Sequence, residues 1–406
     1  MSRSVPHKVG VALGLIQFFF TLTWTVYVIF LPQLAAQVGI AKEAVLTILM
    51  LDQAIFMVAD TAMGIWADKA ARAFGRLSRY VVMITLASCL AFLLLPLVTG
   101  LGAGAQWLFL ALTVTWSVTS SALRAPPLVL LGKYSAQPSI PWLASLSLFG
   151  LGIAGALSPY LTAALRGLDP RWPFALSSIA LALATLGMLW VERTLVTRSA
   201  TEMSPKAAAA AAAAAGPPVP FFLAAIVVLG LGFQIHFSLN SAAQYLRFAK
   251  PADLEYLMPV FWIGFNLLML PASMLTSRYG AMLVMGVAGW TGALAAYLAS
   301  IATGLDWLIA AQFVAGGAWG IVMMSAFAAA LTMGRTGREG LVTGAMFSLL
   351  ALAAIARIAI VATQLNKDPL VAPLLSWAPA VAWIAGGAVL LWIVWSRHNQ
   401  RQGSAA

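Results

Sequence analysis

The sequence has few charged residues and a single cysteine. Asp, Glu, Lys and Arg together make up 9% of the 406 residues, whereas about a quarter of the residues of a soluble globular chain are charged. This composition excludes an ordinary water-soluble fold. Because Cys89 is the only cysteine, the sequence excludes a disulfide framework and a cysteine-based metal site. The sequence also lacks a Walker A pattern, a His/Glu metal-ligand spacing and a nucleophile elbow, so we expect neither an ATP-driven protein nor an enzyme, and no cofactor or metal.

Hydrophobic residues make up 62% of the chain and form long blocks that do not alternate with polar residues. An α-helix needs about 20 apolar residues to cross the bilayer core, and a β-barrel would show short alternating segments. The first block is too long for a signal peptide, so we expect it to remain as the first span. The blocks predict an integral membrane protein with twelve spans, near residues 9–35, 43–66, 79–99, 105–131, 140–164, 172–192, 220–246, 254–277, 281–302, 306–333, 340–364 and 371–396.

One long polar interruption divides these spans into six and six. It contains Ser, Thr and charged residues, then the run Ala207–Ala215, and then Pro217 and Pro218. Such a composition is typical of a mobile tether. We therefore predict an N-terminal bundle over residues 1–192, a cytoplasmic linker over residues 193–219 and a C-terminal bundle over residues 220–406.

The net charge of +11 comes from Lys and Arg residues in the loops. If both termini are cytoplasmic, fifteen of these cations lie in cytoplasmic segments and six in outer loops, as the positive-inside rule requires. The excess positive charge is then explained by topology and by anionic lipid, and not by nucleic acid. We expect a multi-pass protein of the bacterial cytoplasmic (inner) membrane, surrounded by the lipid bilayer, with both termini inside.

The loop after the second span combines glycine, a carboxylate and arginines: Gly64, Asp68, Arg72, Gly75 and Arg76. Together with two sets of six spans around a linker, this pattern resembles the major facilitator superfamily. The resemblance implies an all-α membrane protein of twelve transmembrane helices in two pseudo-symmetric six-helix bundles, with a substrate site near the midplane and an alternating-access mechanism. In such a loop we expect Asp68 to cap a helix end or to pair with the arginines, and so to hold the inward-side gate.

A narrower resemblance covers about forty residues. Asp60-Thr61-Ala62-Met63-Gly64 with Gly75-Arg76, and the later run Arg124-Ala125-Pro126-Pro127-Leu128, resemble the glycoside–pentoside–hexuronide:cation symporters and the sucrose carriers. Thr61 replaces the proline that is usual in that group. Arg124 stands where its melibiose-type members have a sugar-binding Asp, so sugar recognition is not implied.

Four charged residues lie well inside the spans: Asp52, Asp60, Arg124 and Arg357. Each costs at least ~2.5–3.5 kcal/mol at mid-bilayer, so each should face the bundle interior and find a partner. From the rise of 1.5 Å per residue, Asp60 and Arg124 lie about 8 and 9 Å to the inner side of the midplane, and Asp52 and Arg357 about 4 and 7 Å to the outer side. We predict that Asp60 and Arg124 form a coupling or substrate pair, and that Asp52 and Arg357 form a gate between the second and eleventh helices. The alternative is that both are static ion pairs.

Polar residues inside the spans are the substrate-binding candidates. In the seventh span three i, i+4 pairs, Gln234 with Ser238, His236 with Asn240 and Asn240 with Gln244, predict one wide polar face. His236 can change charge near neutral pH, although it can also be a hydrogen-bonding group of the core. The main candidates are Gln17, Thr21, Trp24, Arg124, Gln234, His236, Asn240, Gln244, Asn266 and Trp319, and Thr25 and Gln312 are further polar residues of the same kind.

These features favour a monomeric secondary active transporter that takes up a small polar solute by symport with a proton or another cation. The solute can carry an anionic group that faces Arg124, but two balanced ion pairs would leave no anion site. One alternative is a proton-coupled exporter of a drug or metabolite. Export is disfavoured because the fifth span, Gly150 to Pro159, lacks the glycine pair that follows proline in drug:proton antiporters. A non-transporting membrane sensor or assembly protein is the other alternative.

Overall fold

A computed structural model describes residues 6–73, 76–202, 219–334 and 337–403. Within these ranges the chain forms helices joined by short turns, and no strand occurs there. The membrane helices are α1 (His7–Gln37), α2 (Ala44–Ala73), α3 (Ser78–Val98), α4 (Gln106–Ser120 and Pro126–Tyr134), α5 (Ile140–Ala164), α6 (Arg171–Glu202), α7 (Val219–Tyr245), α8 (Pro251–Tyr279), α9 (Ala281–Ser300), α10 (Leu305–Met333), α11 (Glu339–Ala362) and α12 (Val371–Gly403).

Eleven helical stretches of the described chain are long and apolar enough to cross a membrane. One of them, Ser78–Tyr134, has 57 residues, more than twice the length that one crossing needs. The 3₁₀ segment Thr99–Ala105 divides it, and Gly102 there has a φ of 72°, which ends the helical path. Because α3 and α4 are thus separate crossings, the prediction of an all-α fold with twelve spans is confirmed.

The sixth helix extends past the end predicted for it. α6 continues to Glu202, so residues 193–202 of the predicted linker are helical, and α7 begins at Val219. At the end of the predicted span, the Glu192 carboxylate accepts hydrogen bonds from the backbone N–H groups of Leu77 and Ser78, at the start of α3. Residues 203–218, which include the alanine run, lie outside the described residues. The division into two bundles at this linker stays a prediction.

The apolar core is continuous across the two sets of six helices at one end of the bundle and divided at the other. We call the end at which α2 ends and α3 begins the basic end, because Lys69, Arg72, Arg76 and Arg79 lie there. Near it, one cluster of buried side chains contains both Leu131 of α4 and Leu331 of α10. Toward the opposite end one cluster contains Tyr27 and Phe92 of the first six helices, and a separate cluster contains Leu308 of α10. The bundle is therefore closed at the basic end.

Helices α2 and α11 meet backbone to backbone at the closed end. A Cβ added to Gly64 would overlap the carbonyl oxygen of Gly340, and one added to Gly344 would overlap that of Asp60. Beside these glycines, Ser348 Oγ lies 2.7 Å from Thr61 Oγ1 and accepts a hydrogen bond of 3.2 Å from the Thr61 backbone N–H. Only glycine allows helices to approach this closely.

Helices α5 and α8 form the second contact between the halves. A Cβ on Gly152 of α5 would overlap the side chain of Asn266 in α8. Farther toward the opposite end, the rings of Tyr160 and Tyr256 meet edge to face with their centres 5.8 Å apart. The two halves therefore stay connected along this side of the bundle, while their core clusters separate at the opposite end.

Candidate functional site

The fourth span is broken in its middle. A 3₁₀ turn at Ser121–Leu123 is followed by Arg124, Ala125 and two prolines. Proline has no N–H group, so Pro127 cannot donate to the carbonyl of Leu123. The side chain of Gln17 in α1 supplies the missing donor, with Nε2 2.9 Å from Leu123 O. Gln17, a predicted substrate-binding residue, thus supports the break that carries Arg124.

Arg124 forms an ion pair with Asp60 inside the bundle. Arg124 Nη1 lies 3.1 Å from Asp60 Oδ2, and the Asp60 side chain is fully buried whereas that of Arg124 is 17% exposed. The guanidinium carbon also lies 4.8 Å from the ring centre of Phe56 and 5.0 Å from that of Phe347, distances typical of cation–π contacts. Because Phe56 belongs to α2 and Phe347 to α11, the cation contacts both halves. The structure brings the predicted pair together, and its part in coupling stays a prediction.

Asp52 is hydrogen-bonded by two hydroxyl groups. Tyr27 Oη donates to Asp52 Oδ2 at 2.8 Å, and Ser117 Oγ donates to Oδ1 at 2.7 Å. The carboxylate is fully buried, and no Lys or Arg nitrogen of the described chain lies within 4.0 Å of it. The predicted Asp52–Arg357 ion pair is therefore not formed. The reason is that the halves are separated at this end of the bundle, where Asp52 belongs to the first half.

Arg357 has no ion-pair partner in the described part of the chain. Its Nε atom is buried and donates no hydrogen bond there. The face of α11 that carries Arg357 also carries Leu350 and Ala353, which lie against Gly230 of α7. Of the two arginines well inside the spans, Arg124 is paired and Arg357 has no countercharge among the described residues.

The seventh span contains a π turn, Gln234–Asn240, a feature that is frequent at functional sites. On the α10 side of this turn, His236 Nε2 lies 3.0 Å from Gln312 Oε1. Gln312 Nε2 in turn donates to Gln244 Oε1 at 2.9 Å, and Ser241 Oγ donates to the His236 carbonyl at 2.9 Å. All four side chains are buried. They form a hydrogen-bonded network between α7 and α10.

The other polar residues of α7 point in different directions. Asn240 Nδ2 donates to Leu375 O of α12 at 2.9 Å, while Ser238 Oγ meets Gln234 Oε1 at 3.5 Å. Of the three predicted i, i+4 pairs, Gln234 and Ser238 are in contact, whereas His236 and Asn240 bond to different helices. The prediction of one polar face spanning the whole run is therefore wrong, because the π turn inserts an extra residue and changes the helical phase.

Four predicted substrate-binding residues have local or packing contacts in this conformation. Thr21 Oγ1 donates to Gln17 O, one turn earlier in α1, and the Trp24 ring stacks on Trp116. Trp319 is 5% exposed and stacks on Phe233, with the ring centres 4.5 Å apart. Asn266 is buried against Gly152. The structure does not bring these residues into contact with Arg124 or His236.

The loop motif joins the two halves at the basic end. Asp68 Oδ1 accepts a hydrogen bond of 2.7 Å from the Gly340 N–H, and Oδ2 accepts one of 2.9 Å from the Leu341 N–H. These N–H groups belong to the first turn of α11, where no intrahelical acceptor exists. Arg72 Nη1 donates to Gly337 O at 3.4 Å. Arg76 is exposed, and Gly75 lies outside the described residues. The carboxylate of the motif therefore caps a helix of the other half.

A family model described as Major Facilitator Superfamily matches residues 13–356, which run from α1 into α11 and include the motif loop. The chain belongs to the major facilitator superfamily. This membership confirms the resemblance that the spans and the loop motif predicted, and with it the prediction of a membrane transporter and not an enzyme.

Two solved structures show the same fold as this major facilitator protein. The human organic anion transporter MFSD10 (TETRAN) is 14% identical, with a TM-score of 0.67 over 96% of this chain and 99% of that one. A bacterial homologue of the iron transporter ferroportin, in an outward-facing state, is 12% identical, with a TM-score of 0.71 over 95% of this chain and 99% of that one. A search of curated proteins gave no significant match.

Several contact residues of this major facilitator protein were not predicted. Tyr27 and Ser117, the donors to Asp52, lie among other hydroxyl-bearing residues of α1 and α4, and the sequence pattern does not distinguish them from these neighbours. Phe56 and Phe347 are two among many aromatic residues. A search for hydroxyl groups at the depth of each buried carboxylate would have found Ser117, because α4 lies beside α2.

Proposed function

We propose that this protein takes up a small polar solute by symport with a proton, working by alternating access. Membership of the superfamily supports membrane transport. The observation that carries the coupling is the Asp60–Arg124 ion pair at 3.1 Å. It lies where the halves touch: the backbone of Asp60 lies against Gly344, and Arg124 contacts Phe347, both in α11. A change of charge at this pair therefore acts directly on the contact between α2 and α11.

We assign the basic end to the cytoplasmic side of a bacterial inner membrane, so that both termini are cytoplasmic. The excess of Lys and Arg in the loops of that end supports this orientation. With it, the closed core and the Asp68 cap correspond to a closed cytoplasmic gate. The separated core clusters at the opposite end then correspond to an outward-facing state. The Asp60–Arg124 ion pair and the Asp68 cap are both formed within one chain, which favours a monomer.

Protonation of Asp60 supplies the coupling step. The neutral acid no longer attracts Arg124, whose remaining described contacts are the rings of Phe56 and Phe347. The guanidinium then gains from a new anionic or polar partner, which biases the halves toward another arrangement. In the present conformation Asp60 and two rings occupy Arg124. We therefore assign Arg124 to coupling, and not to direct binding of the solute as its anion site.

Uptake into proteoliposomes tests this proposal. A thermal-shift screen with sugars, amino acids, organic anions and drugs first identifies a stabilising solute, which is then offered to vesicles with an imposed pH gradient. Asp60→Asn is expected to abolish accumulation above equilibrium while solute exchange continues. The same substitution at the exposed Asp306 serves as the control.

Three outcomes would contradict the proposal. Accumulation that persists in the Asp60→Asn protein excludes Asp60 as the coupling group. Solute movement out of the vesicles against its own gradient, driven by protons, favours an exporter. If no solute stabilises or crosses, the protein is a sensor or assembly factor.

A further inference from the structure

The charges inside the spans do not balance one another locally. Asp60 and Arg124 neutralise each other at 3.1 Å. Asp52 is satisfied by the hydroxyl groups of Tyr27 and Ser117. Arg357 is left with no countercharge among the described residues and with a buried, unbonded Nε. A cation inside a span is expensive unless something pairs with it. The sequence predicted that two ion pairs would use both arginines, and the structure contains only one.

The position of Arg357 places it at the depth of the π turn. Leu350 and Ala353 of α11 lie against Gly230 of α7, and Arg357 follows on the same face, two turns beyond Leu350. α7 and α11 run in the same direction, from the basic end to the opposite end. Seven residues beyond Gly230, α7 has reached Gln234–Asn240, the π turn. The unpaired guanidinium therefore lies toward the divided end, beside the most polar stretch of the seventh span.

From this placement we infer that Arg357 binds the anionic group of the transported solute, which makes the substrate a small organic monoanion such as a carboxylate. The inference rests on the proposed transport function and adds the substrate class to it. A guanidinium presents a planar fork of N–H donors that matches the two oxygens of a carboxylate. A single arginine balances a single negative charge, whereas a phosphate monoester carries close to two at neutral pH. The charge count thus favours a carboxylate over a phosphate.

An anion-binding role and a gating role for Arg357 predict different stabilities for the ligand-free protein. If Arg357 only closes the outer side by pairing with Asp52 in another conformation, its charge stabilises the protein without any solute. If it is an anion site, the free protein holds an uncompensated cation. Replacing that cation by a neutral side chain then leaves the ligand-free protein as stable as before or more so, since a partly buried charge inside a span is costly without a partner.

Purified protein in detergent provides the test. The probes are three carboxylates, benzoate, lactate and nicotinate, and each is compared with its carboxamide, which has a similar shape but no negative charge. At least one carboxylate is expected to raise the melting temperature of the wild-type protein, and its amide is not. Arg357→Gln should weaken the affinity for that carboxylate by about 30-fold or more. Arg357→Lys should keep part of it. The same Gln substitution at the exposed Arg166, in the turn between α5 and α6, should change nothing.

The inference is overturned if Arg357→Gln keeps the affinity for the carboxylate, or if it lowers the melting temperature of the ligand-free protein while Arg166→Gln does not. It is also overturned if none of the three carboxylates stabilises the wild-type protein. That last result leaves the proposed symport open for neutral solutes. Conversely, binding of a carboxylate through Arg357 without accumulation under a pH gradient would contradict the coupling proposal and leave the anion site intact.

Discussion

Asp68 Oδ1 accepts a hydrogen bond of 2.7 Å from the backbone N–H of Gly340, so the second helix of the bundle caps the eleventh. The two residues belong to different halves, and the cap exists only while the basic end is closed. The contact combines a carboxylate with the positive end of a helix, where anions are favoured. The loop motif thus holds the two halves together at the basic end.

Replacing Asp68 by Asn should loosen this end. The amide keeps the shape of the carboxylate but removes its charge and one of its two acceptors, so we expect the closed state to lose about 1–2 kcal/mol. In a background with Cys89→Ser, alkylation of Ser348→Cys reports the opening, because position 348 is buried beneath the closed contact. Alkylation should be faster with Asp68→Asn than without it. Equal rates would show that the cap does not hold the gate.

Replacing Gly344 by Ala should disturb the same contact sterically. The added Cβ overlaps the carbonyl oxygen of Asp60, which is backbone and cannot rotate away. Overpacking of this kind costs about 1–3 kcal/mol, and the melting temperature should fall. Gly187→Ala in α6 is the matched control, since nothing lies within 4 Å of its added Cβ. There the higher helix propensity of alanine should preserve or raise stability.

Replacing Gln17 by Leu should damage the break in α4. The Leu123 carbonyl loses the donor that Gln17 supplies, and Pro127 cannot replace it. An unsatisfied buried carbonyl costs about 1–3 kcal/mol, and the melting temperature should fall accordingly. Gln33→Leu, at an exposed position of the same helix, controls for the general effect of the substitution. Equal stability of the two variants would show that the break does not depend on Gln17.

The network of α7 and α10 should behave as a unit. Gln312→Leu removes the partner of both His236 and Gln244, so the single substitution leaves two buried groups unsatisfied. In a double-mutant cycle with His236→Phe, we expect an interaction energy of about 0.5–3 kcal/mol. Thermal unfolding of the four proteins measures it. Additive losses would mean that the two side chains act independently.

The sequence predicts the spans and one ion pair for clear physical reasons. Long apolar blocks leave little choice but membrane helices, and only the α3–α4 connection, where Gly102 ends the helical path, needs the structure to confirm the count. The depth of Asp60 and Arg124 follows from the helical rise alone. Because both residues lie near the closed end, similar depth there also means contact.

The predicted Asp52–Arg357 pair and the predicted polar face of α7 were wrong because they depend on features that residue order does not show. Asp52 and Arg357 have similar depths as well, but they lie toward the end where the halves separate. Residue spacing carries no information about which end of an alternating bundle is open. The polar face of α7 was misplaced for a local reason, since the π turn at Gln234–Asn240 changes the helical phase. No residue type marks such a turn by itself.

The contact between α2 and α11 has a consequence for how cheaply the bundle can change shape. Gly64, Gly340 and Gly344 bring main chain against main chain, so separation of the helices there frees no large apolar side chain and requires no rotamer to reorder. Apart from the N–H groups of Gly340 and Leu341, which Asp68 caps, the main-chain amides along this contact stay bonded within their own helix when the two part. The glycine contact between α2 and α11 packs closely when it is closed, and few side chains have to repack when it opens. Such a contact suits two helices that meet and separate in every transport cycle.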